Sequence, residues 1–443
     1  MQPPPLPSGE AAGASRLAVL AWCLYDFANS AFTTLVVTFV YSTWFIKSVP
    51  GGEVRGTHLW SLAVSGSAIA IAILSPLFGA VADASGRRRP LLAALTLACV
   101  GGTVALTFCE PDRWLVALLV FAAANVCYEI AEALYNAYLP EISTAATIGR
   151  ISGYGWGLGY VGGLLALVAA FTMTGLPDGV GGWTLRPWLP TADGWNIRAT
   201  NLLVAGWYLA FALPLLLLVA VPQREGGRSL RAAARGSFAQ IATSFREVRR
   251  FRQAARLLVA RLIYNDGLVT VFAFGGIYAA GTFGMSFGEV VLLGIGLNVA
   301  AGLGALCFGH LDDRLGGKTT ILVTLVVLIA ASILGAVAPS RQVFWVAALG
   351  IGMMVGPNQA ASRSLLGRFA PAGRQGEFFG FFAFSGKATS FLGPLLLGQV
   401  TVWTGNQRWG MASVVLFFLV GMMLLLAIDE RAGIAAAREQ GGR

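Results

Sequence analysis

The sequence predicts an all-α membrane protein in which twelve transmembrane helices form two pseudo-repeats of six helices. Three observations support this fold class. The 443-residue chain is 56% hydrophobic with a mean hydropathy of +0.70. Only 12% of its residues are charged, whereas a soluble domain carries about 25%. Twelve apolar runs reach the roughly 20 residues that a spanning helix needs, and motifs of the first half recur in the second.

The predicted helices form two sets of six, separated by a polar stretch. The first six cover 17–46, 58–82, 90–109, 114–138, 150–174 and 200–221, and the second six cover 257–280, 286–310, 318–338, 342–366, 374–400 and 406–428. The predicted organisation is a tail over 1–16, a six-helix bundle over 17–221, a basic linker over 222–256, a second six-helix bundle over 257–428 and a tail over 429–443. The first apolar run is longer than that of a cleavable signal peptide, so none is expected.

Basic residues are distributed unevenly between the two sets of loops. The set that includes both termini carries 22 lysines and arginines, and the other set carries seven. Because loops rich in these residues stay on the cytoplasmic side, both termini are expected in the cytoplasm, and the membrane is the inner one if the chain is bacterial. This asymmetry accounts for the net charge of +10 without a nucleic-acid partner.

Two loops carry further expectations. Five linker arginines predict an amphipathic segment on the anionic inner leaflet, with binding of a soluble partner as the alternative. They are Arg246, Arg249, Arg250, Arg252 and Arg256. The loop over 175–199 contains Trp183, Trp188 and Trp195, which are typical of a membrane interface or of a lid over the outer mouth.

The composition excludes several function classes. The cysteine count is odd, with no CxxC motif, so the five cysteines are interpreted as packing residues. Two histidines are too few for a metal centre. The glycines at 153, 155, 157, 159 and 163 are interpreted as helix-packing positions. The sequence contains no phosphate-binding loop and no nucleophile–base arrangement, so it predicts neither an ATP-driven pump, nor an enzyme, nor a cofactor.

An internal repeat relates the two halves. Gly79 to Arg89 and Gly309 to Lys318 both read G-x-x-x-D-x-x-G followed by basic residues. Tyr25-Asp26 corresponds to the motif at 264–267, and Gly149-Arg150 corresponds to Gly373-Arg374. A duplicated six-helix unit is typical of a transporter whose site lies between the halves near the bilayer midplane.

These features resemble the major facilitator superfamily. More narrowly, YDFANSAF at 25–32, YNAYLPEI at 135–142, YNDG at 264–267 and GPNQAASRSLL at 356–366 are similar to the vacuolar amino-acid effluxer family of autophagy. The resemblance runs from about Leu17 to Ile428. It implies alternating access, and its fungal members imply amino-acid efflux.

The resemblance also implies a gate, because the repeated loop of this superfamily latches onto helix 11 and its twin onto helix 5. Asp83 with Arg374 and Asp313 with Arg150 are the expected contacts, with Asp312 as a competitor for Asp313. Gly79, Gly86 and Arg87 complete the first loop. The alternative is a turn with basic residues that only anchor the topology.

Charged side chains inside the apolar runs predict a polar site, since each costs ~2.5 kcal/mol or more in hydrocarbon. The candidates are Tyr25, Asp26 and Asn29 in helix 1, Glu129, Glu132 and Asn136 in helix 4, Asn265 and Asp266 in helix 7, Gln359 and Arg363 in helix 10, and Lys387 in helix 11. In the superfamily, helices 1, 4, 7 and 10 line the cavity. Static neutralisation between acids and bases is the alternative interpretation.

The sequence therefore predicts a monomeric secondary transporter for a small polar solute, with an amino acid favoured and protons as the coupling ion. Asp26 or Glu129 would bind an ammonium group, and Lys387 or Arg363 a carboxylate. Glu129 is the first choice for proton coupling, on the expectation that it lacks a permanent partner, and Asp26 the first choice for holding the solute. The alternatives are a lysolipid or lipid flippase, which predicts an apolar upper cavity, and a non-transporting sensor or scaffold.

Overall fold

A computed structural model describes residues 15–175, 186–219 and 251–441, together with residues 229, 232, 233, 235 and 236. All regular secondary structure in these residues is helical, as predicted. Trp183, Arg246, Arg249 and Arg250 lie outside the described residues, and so do the predictions that rest on them.

The helices follow the predicted order, with ends that shift by a few residues. They are α1 (Arg16–Ser48), α2 (Gly52–Ser85), α3 (Arg88–Thr107), α4 (Trp114–Asn136), α5 (Ile148–Thr174), α6 (Thr200–Leu218), α7 (Arg252–Phe283), α8 (Phe287–Leu315), α9 (Gly317–Val337), α10 (Arg341–Phe369), α11a (Gln375–Lys387), α11b (Leu392–Thr404), α12 (Gln407–Leu426) and α13 (Glu430–Gly441). Within the described ranges, eleven helices are long and apolar enough to cross a membrane, and the divided α11 is not among them.

The eleventh helix was predicted to be continuous over 374–400, and this is wrong. It stops at Lys387 and resumes at Leu392. Pro394 explains the break, because it has no N–H for the carbonyl of Ser390 and its ring crowds that carbonyl. Between the two half-helices, the Thr389 hydroxyl donates to the Leu262 carbonyl of α7 at 3.0 Å. The break leaves Lys387 at the end of a half-helix inside the bundle.

The first helix contains a π-helical segment over Phe32–Phe39. The N–H of Val40 donates to the carbonyl of Leu35 at 3.1 Å, five residues back. Such wider turns are frequent at functional sites. Here the segment brings Thr34 against α5, where a Cβ on Gly163 would lie 2.7 Å from the threonine hydroxyl.

Glycines bring helices of the two halves together. A Cβ on Gly79 of α2 would meet the carbonyl of Gly376 in α11a, and one on Gly153 of α5 would meet the carbonyl of Ala305 in α8. The remaining glycines predicted as packing positions in α5 face α8 or α1. Their predicted packing role is confirmed, because small residues let membrane helices approach closely.

The predicted C-terminal tail contains the helix α13, which packs under the second half. Its Glu430 accepts hydrogen bonds from the N–H groups of Gly317 and Lys318 at 3.1 and 3.0 Å. A Cβ on Gly433 would meet the ring of Phe369. This helix and the loops that follow α2 and α8 lie at one end of the bundle, which we call the basic end.

Candidate functional site

Arg363 of α10 is the centre of the candidate site and joins the two halves. It is 1% exposed. Its Nη1 donates to Asp26 Oδ2 on α1 and to Asn136 Oδ1 on α4, both at 3.0 Å. Its Nε and Nη2 donate to the hydroxyl and the carbonyl of Ser152 on α5, at 2.9 and 2.7 Å. Every acceptor belongs to the first half, so this buried arginine ties α10 to α1, α4 and α5.

Aromatic rings enclose the ion pair of Asp26 and Arg363. The guanidinium carbon lies 4.7 Å from the ring centroid of Trp22 and 5.6 Å from that of Trp156, within the range of a cation–π interaction. Trp22 in turn stacks on Tyr135, with centroids 4.7 Å apart. Together with the four hydrogen bonds, these rings surround the guanidinium and bury it.

Glu132 of α4 continues this network without an ion pair among the described residues. Its carboxylate accepts hydrogen bonds from Asn29 Nδ2 at 2.6 Å and from Asn136 Nδ2 at 3.0 Å. Asn136 also contacts Arg363, so one neutral amide links the carboxylate to the buried cation. Within this network, Glu132 is thus the carboxylate whose hydrogen-bond donors are all side-chain amides.

A second ion pair joins the halves through Glu129 of α4 and Lys387 at the end of α11a. The Lys387 ammonium lies 2.7 Å from Glu129 Oε1, and the two side chains are 36% and 15% exposed respectively. The expectation that Glu129 lacks a permanent partner is therefore wrong. Lys387 is the last residue of α11a, whereas the sequence predicts a continuous helix at this position. Unlike Asp26, this pair is not fully buried within the protein.

The predicted residues of α7 and α10 form a third group on the side of the second half. Gln359 Nε2 donates to Asn265 Oδ1 at 3.0 Å, and Asn265 Nδ2 donates to the Gly386 carbonyl of α11a at 3.2 Å. Asp266 is 1% exposed and packs against Gly393 in the first turn of α11b. Its carboxylate oxygens have no hydrogen-bond partner among the described residues.

Tyr25 is a structural member of the predicted set. It is fully buried, and its hydroxyl contacts Thr96 Oγ1 at 2.7 Å and the Tyr208 hydroxyl at 3.1 Å. These contacts join α1 to α3 and α6 within the first half. The structure therefore places Tyr25 behind the charged network.

Arg261 of α7 is a buried cation that the sequence analysis did not include. It is 7% exposed, and its Nη1 donates to the Phe382 carbonyl at 2.8 Å and the Ser385 hydroxyl at 2.9 Å. Its guanidinium carbon lies 3.6 Å from the Phe382 ring centroid. The signal was present, because a basic residue inside an apolar run is the same signal that identified Arg363.

The predicted gate residues contact the opposite half as expected. Asp83 accepts hydrogen bonds from the N–H groups of Gly376 and Glu377, at 3.0 and 2.8 Å. Asp313 accepts them from Gly149 and Arg150, at 2.7 and 3.2 Å. In both cases the donors are the second and third residues of a helix, α11a or α5.

Each aspartate thus caps a helix of the other half. The first N–H groups of a helix have no partner within it, and its positive end attracts a carboxylate. The sequence paired Asp83 with the Arg374 side chain, whereas the backbone N–H groups two and three positions further on donate to it. The Arg374 guanidinium pairs with Glu377 at 3.1 Å, and Arg150 Nε lies 3.7 Å from Asp313.

Neighbouring residues of the two loops form their ion pairs within their own half. Asp312 pairs with Arg368 of its own half at 2.7 Å, which leaves the cap to Asp313. Gly86 ends α2 with a φ of +66°, a conformation that favours glycine. Arg88 rather than the exposed Arg87 pairs with Asp83, at 2.9 Å.

Removing a cap is expected to open the basic end. Asp83→Ala and Asp313→Ala should each shift the equilibrium by ~1–2 kcal/mol, the scale of a lost N-cap. A cysteine at Ala137, which is buried among residues of the second half, would report the opening in a background without the native cysteines. Its alkylation rate should rise roughly ten-fold, since ~1.4 kcal/mol corresponds to that factor. Asp112→Ala, at an exposed acid of the opposite end, is the control, and rates equal to the control would show that neither aspartate is a gate.

At the opposite end, the structure contains a cavity of about 790 Å³ between α1, α5 and α8. It is lined mainly by apolar side chains, with Thr34 and Asn298 at one end and Lys47 at the other. The described residues thus connect the halves at the basic end and leave a cavity between them at the other end.

Residues 48–148 and 141–438 match the family described as vacuole effluxer Atg22 like. The chain belongs to this family. Membership confirms the resemblance derived from the helix motifs, and it makes the protein a membrane transporter rather than an enzyme.

Curated relatives agree with this family. The chain is 24% identical over 423 residues to the uncharacterized MFS-type transporter YxiO of Bacillus subtilis, covering 95% of this chain and 96% of that protein. It is 24% identical over 349 residues to the autophagy-related protein 22 of Yarrowia lipolytica, covering 71% of this chain and 56% of that protein. The chain therefore spans just over half of this fungal relative.

Solved structures confirm the major facilitator fold. The proton:xylose symporter XylE superposes with a TM-score of 0.73 at 14% identity, covering 96% of this chain and 98% of that chain. The fucose:proton symporter FucP of E. coli gives 0.69 at 16% identity, covering 93% and 98%. At these identities the likeness concerns the fold alone.

Proposed function

We propose that the protein transports a small polar solute, with an amino acid favoured, by alternating access coupled to protons. The observation that carries this proposal is the partly exposed ion pair between Glu129 and Lys387, which crosses from one half to the other. With the basic end in the cytoplasm, as the arginine distribution predicts, the structure corresponds to an outward-facing state. A single chain contains both halves of the site, and the monomer is the proposed functional unit.

A zwitterion fits this pair by charge. Its ammonium group would take the place of Lys387 beside Glu129, and its carboxylate would bind the released Lys387 ammonium. Neither protein charge would then be left without an opposite charge inside the bundle, where an unpaired charge is costly. Asn265 and Gln359, which already bond to one another, supply amides near Lys387 for further hydrogen bonds.

Proton coupling follows from the charge balance of the central residues. Four carboxylates (Asp26, Glu129, Glu132 and Asp266) stand against three cations (Arg261, Arg363 and Lys387). Four minus three leaves one negative charge, which a single bound proton would neutralise. Glu132 is the favoured site for that proton, because amides hold it and Asn136 connects it to Arg363 in the interface between the halves.

Counterflow in proteoliposomes tests the proposed cargo. Purified protein would be reconstituted with a high internal concentration of unlabelled amino acids, sugars or lysolipids, and entry of the same labelled compound measured. We expect exchange of at least one amino acid above the level of protein-free liposomes. Exchange of sugars alone would contradict the zwitterion site, and no exchange of any compound would favour a sensor or scaffold.

The apolar cavity at the opposite end favours an amphiphile carrier as the second candidate. Leu164, Leu167 and Phe171 of α5 face Val290 and Ile295 of α8 across it, as expected for the flippase alternative. The same panel separates the candidates, since an amphiphile carrier would exchange lysolipid and leave amino acids untouched.

A further inference from the structure

The cavity at the opposite end has the form of a cleft between α5 and α8. The two helices pack closely at the basic end, where a Cβ on Gly157 would lie 2.7 Å from the Leu306 side chain and one on Gly302 would lie 3.3 Å from Tyr160. Beyond these positions the helices separate. The cavity begins at Gly163 of α5 and Asn298 of α8 and continues to the opposite end. The cleft thus lies along the seam between the two halves that α5 and α8 form.

Its depth matches one leaflet of a bilayer. Along α1 the lining runs from Thr34 to Lys47, which is about 20 Å at a helical rise of ~1.5 Å per residue. Half of a hydrocarbon core is ~15 Å thick, so the cleft covers one leaflet and its headgroup region. Its volume of about 790 Å³ is that of an ordinary small-molecule site, which ranges over ~300–1,000 Å³.

Charge is placed at the headgroup end of the cleft. Lys47 is exposed there, and it forms no ion pair with any described residue. The walls between Lys47 and Asn298 are mainly aliphatic and aromatic side chains. A cationic rim above apolar walls is complementary to a molecule with an anionic head and one hydrocarbon chain.

We propose that this cleft binds a single-chain anionic lipid from the leaflet at the opposite end, with the acyl chain between α5 and α8 and the headgroup at Lys47. The proposal does not depend on which cargo the central residues carry. A lipid held between α5 and α8 would resist their approach at this end, and so would favour the state that the structure shows.

Photo-crosslinking tests the site. The full-length protein in phosphatidylcholine vesicles would receive a small fraction of lysophosphatidylglycerol with a diazirine on its chain, and the labelled peptides would be identified by mass spectrometry. We expect labelling of the facing parts of α5 and α8, at Leu164, Leu167 and Val291. Lysophosphatidylcholine with the same chain should label them roughly five-fold less, the factor that ~1 kcal/mol per basic residue near a surface gives.

Two glycines provide matched variants, since a Cβ on either meets no atom within 4 Å. Gly294→Phe fills the cleft from α8 and should reduce the labelling of Leu164 and Leu167 at least five-fold. Gly206→Phe on α6 is the control and should leave it unchanged. Lys47→Gln should bring lysophosphatidylglycerol labelling down to the lysophosphatidylcholine level. Equal labelling in both glycine variants would show only lipid bound at the surface, and equal labelling by both headgroups would remove the anionic specificity. Either result would overturn the proposal.

Discussion

Asp26→Asn is expected to abolish transport and to destabilise the protein by ~3–5 kcal/mol, the cost of leaving one member of a buried ion pair without its partner. Arg363 is 1% exposed, and Asp26 is the one carboxylate within ion-pair distance of it among the described residues. Asparagine is similar in size to aspartate, so the loss would come from charge rather than from volume. Thermal unfolding of the purified protein and counterflow in liposomes measure the two effects.

A double variant separates stability from function. Asp26→Asn with Arg363→Met removes both charges, and replacing a buried ion pair by uncharged groups is often neutral for stability. The double variant should therefore unfold closer to the parent than Asp26→Asn does, yet it should not transport, because the contact between the halves is lost. If Asp26→Asn alone unfolds at the parental temperature, the ion pair does not hold the halves together.

Glu132→Gln is expected to abolish accumulation driven by a pH gradient while sparing counterflow, which needs no net proton movement. Glutamine keeps an acceptor and can still contact Asn29 and Asn136, so the network should persist without its titratable group. Glu129→Gln should abolish both activities, because it removes the proposed partner of the solute's ammonium group. Uptake of the labelled solute with and without an imposed pH gradient measures both.

Glu110→Gln, at an exposed acid outside the bundle interior, is the matched control and should retain both activities. Should Glu132→Gln still accumulate the solute at the parental level, Glu132 is not the coupling residue. Asp266, whose carboxylate has no hydrogen-bond partner among the described residues, would then be the next candidate.

The sequence predicted the order of the helices and the two aspartates that contact the opposite half, Asp83 and Asp313, because hydropathy and charge inside apolar runs are local signals. It also predicted Arg150 as the partner of Asp313, but it did not predict Gly376 and Glu377 as the partners of Asp83. A sequence shows which side chains are charged. The N–H groups that Asp83 and Asp313 contact belong to the first turns of two helices, and packing decides at which residue each helix begins. The repeat in the sequence therefore matched Gly149-Arg150 to Gly373-Arg374, three residues before the position that corresponds to it in the structure.

The pairing of Glu129 with Lys387 depended on a break that the hydropathy of α11 does not show. Pro394 indicates the break, since proline inside a helix removes a hydrogen bond. The apolar run nevertheless continues through this residue. Asp26 had been predicted to hold the solute. Its burial against Arg363 makes the more exposed Glu129 the better candidate for that role.

Simultaneous measurement of solute and proton flux tests the central claim most directly. Proteoliposomes containing an entrapped pH-sensitive dye would receive an amino acid that shows counterflow, and its entry would be followed together with the internal pH. We expect a pH change that begins with solute entry in the parent protein and is absent in Glu132→Gln, although exchange persists there. Solute entry in the parent without any proton movement would contradict the claim.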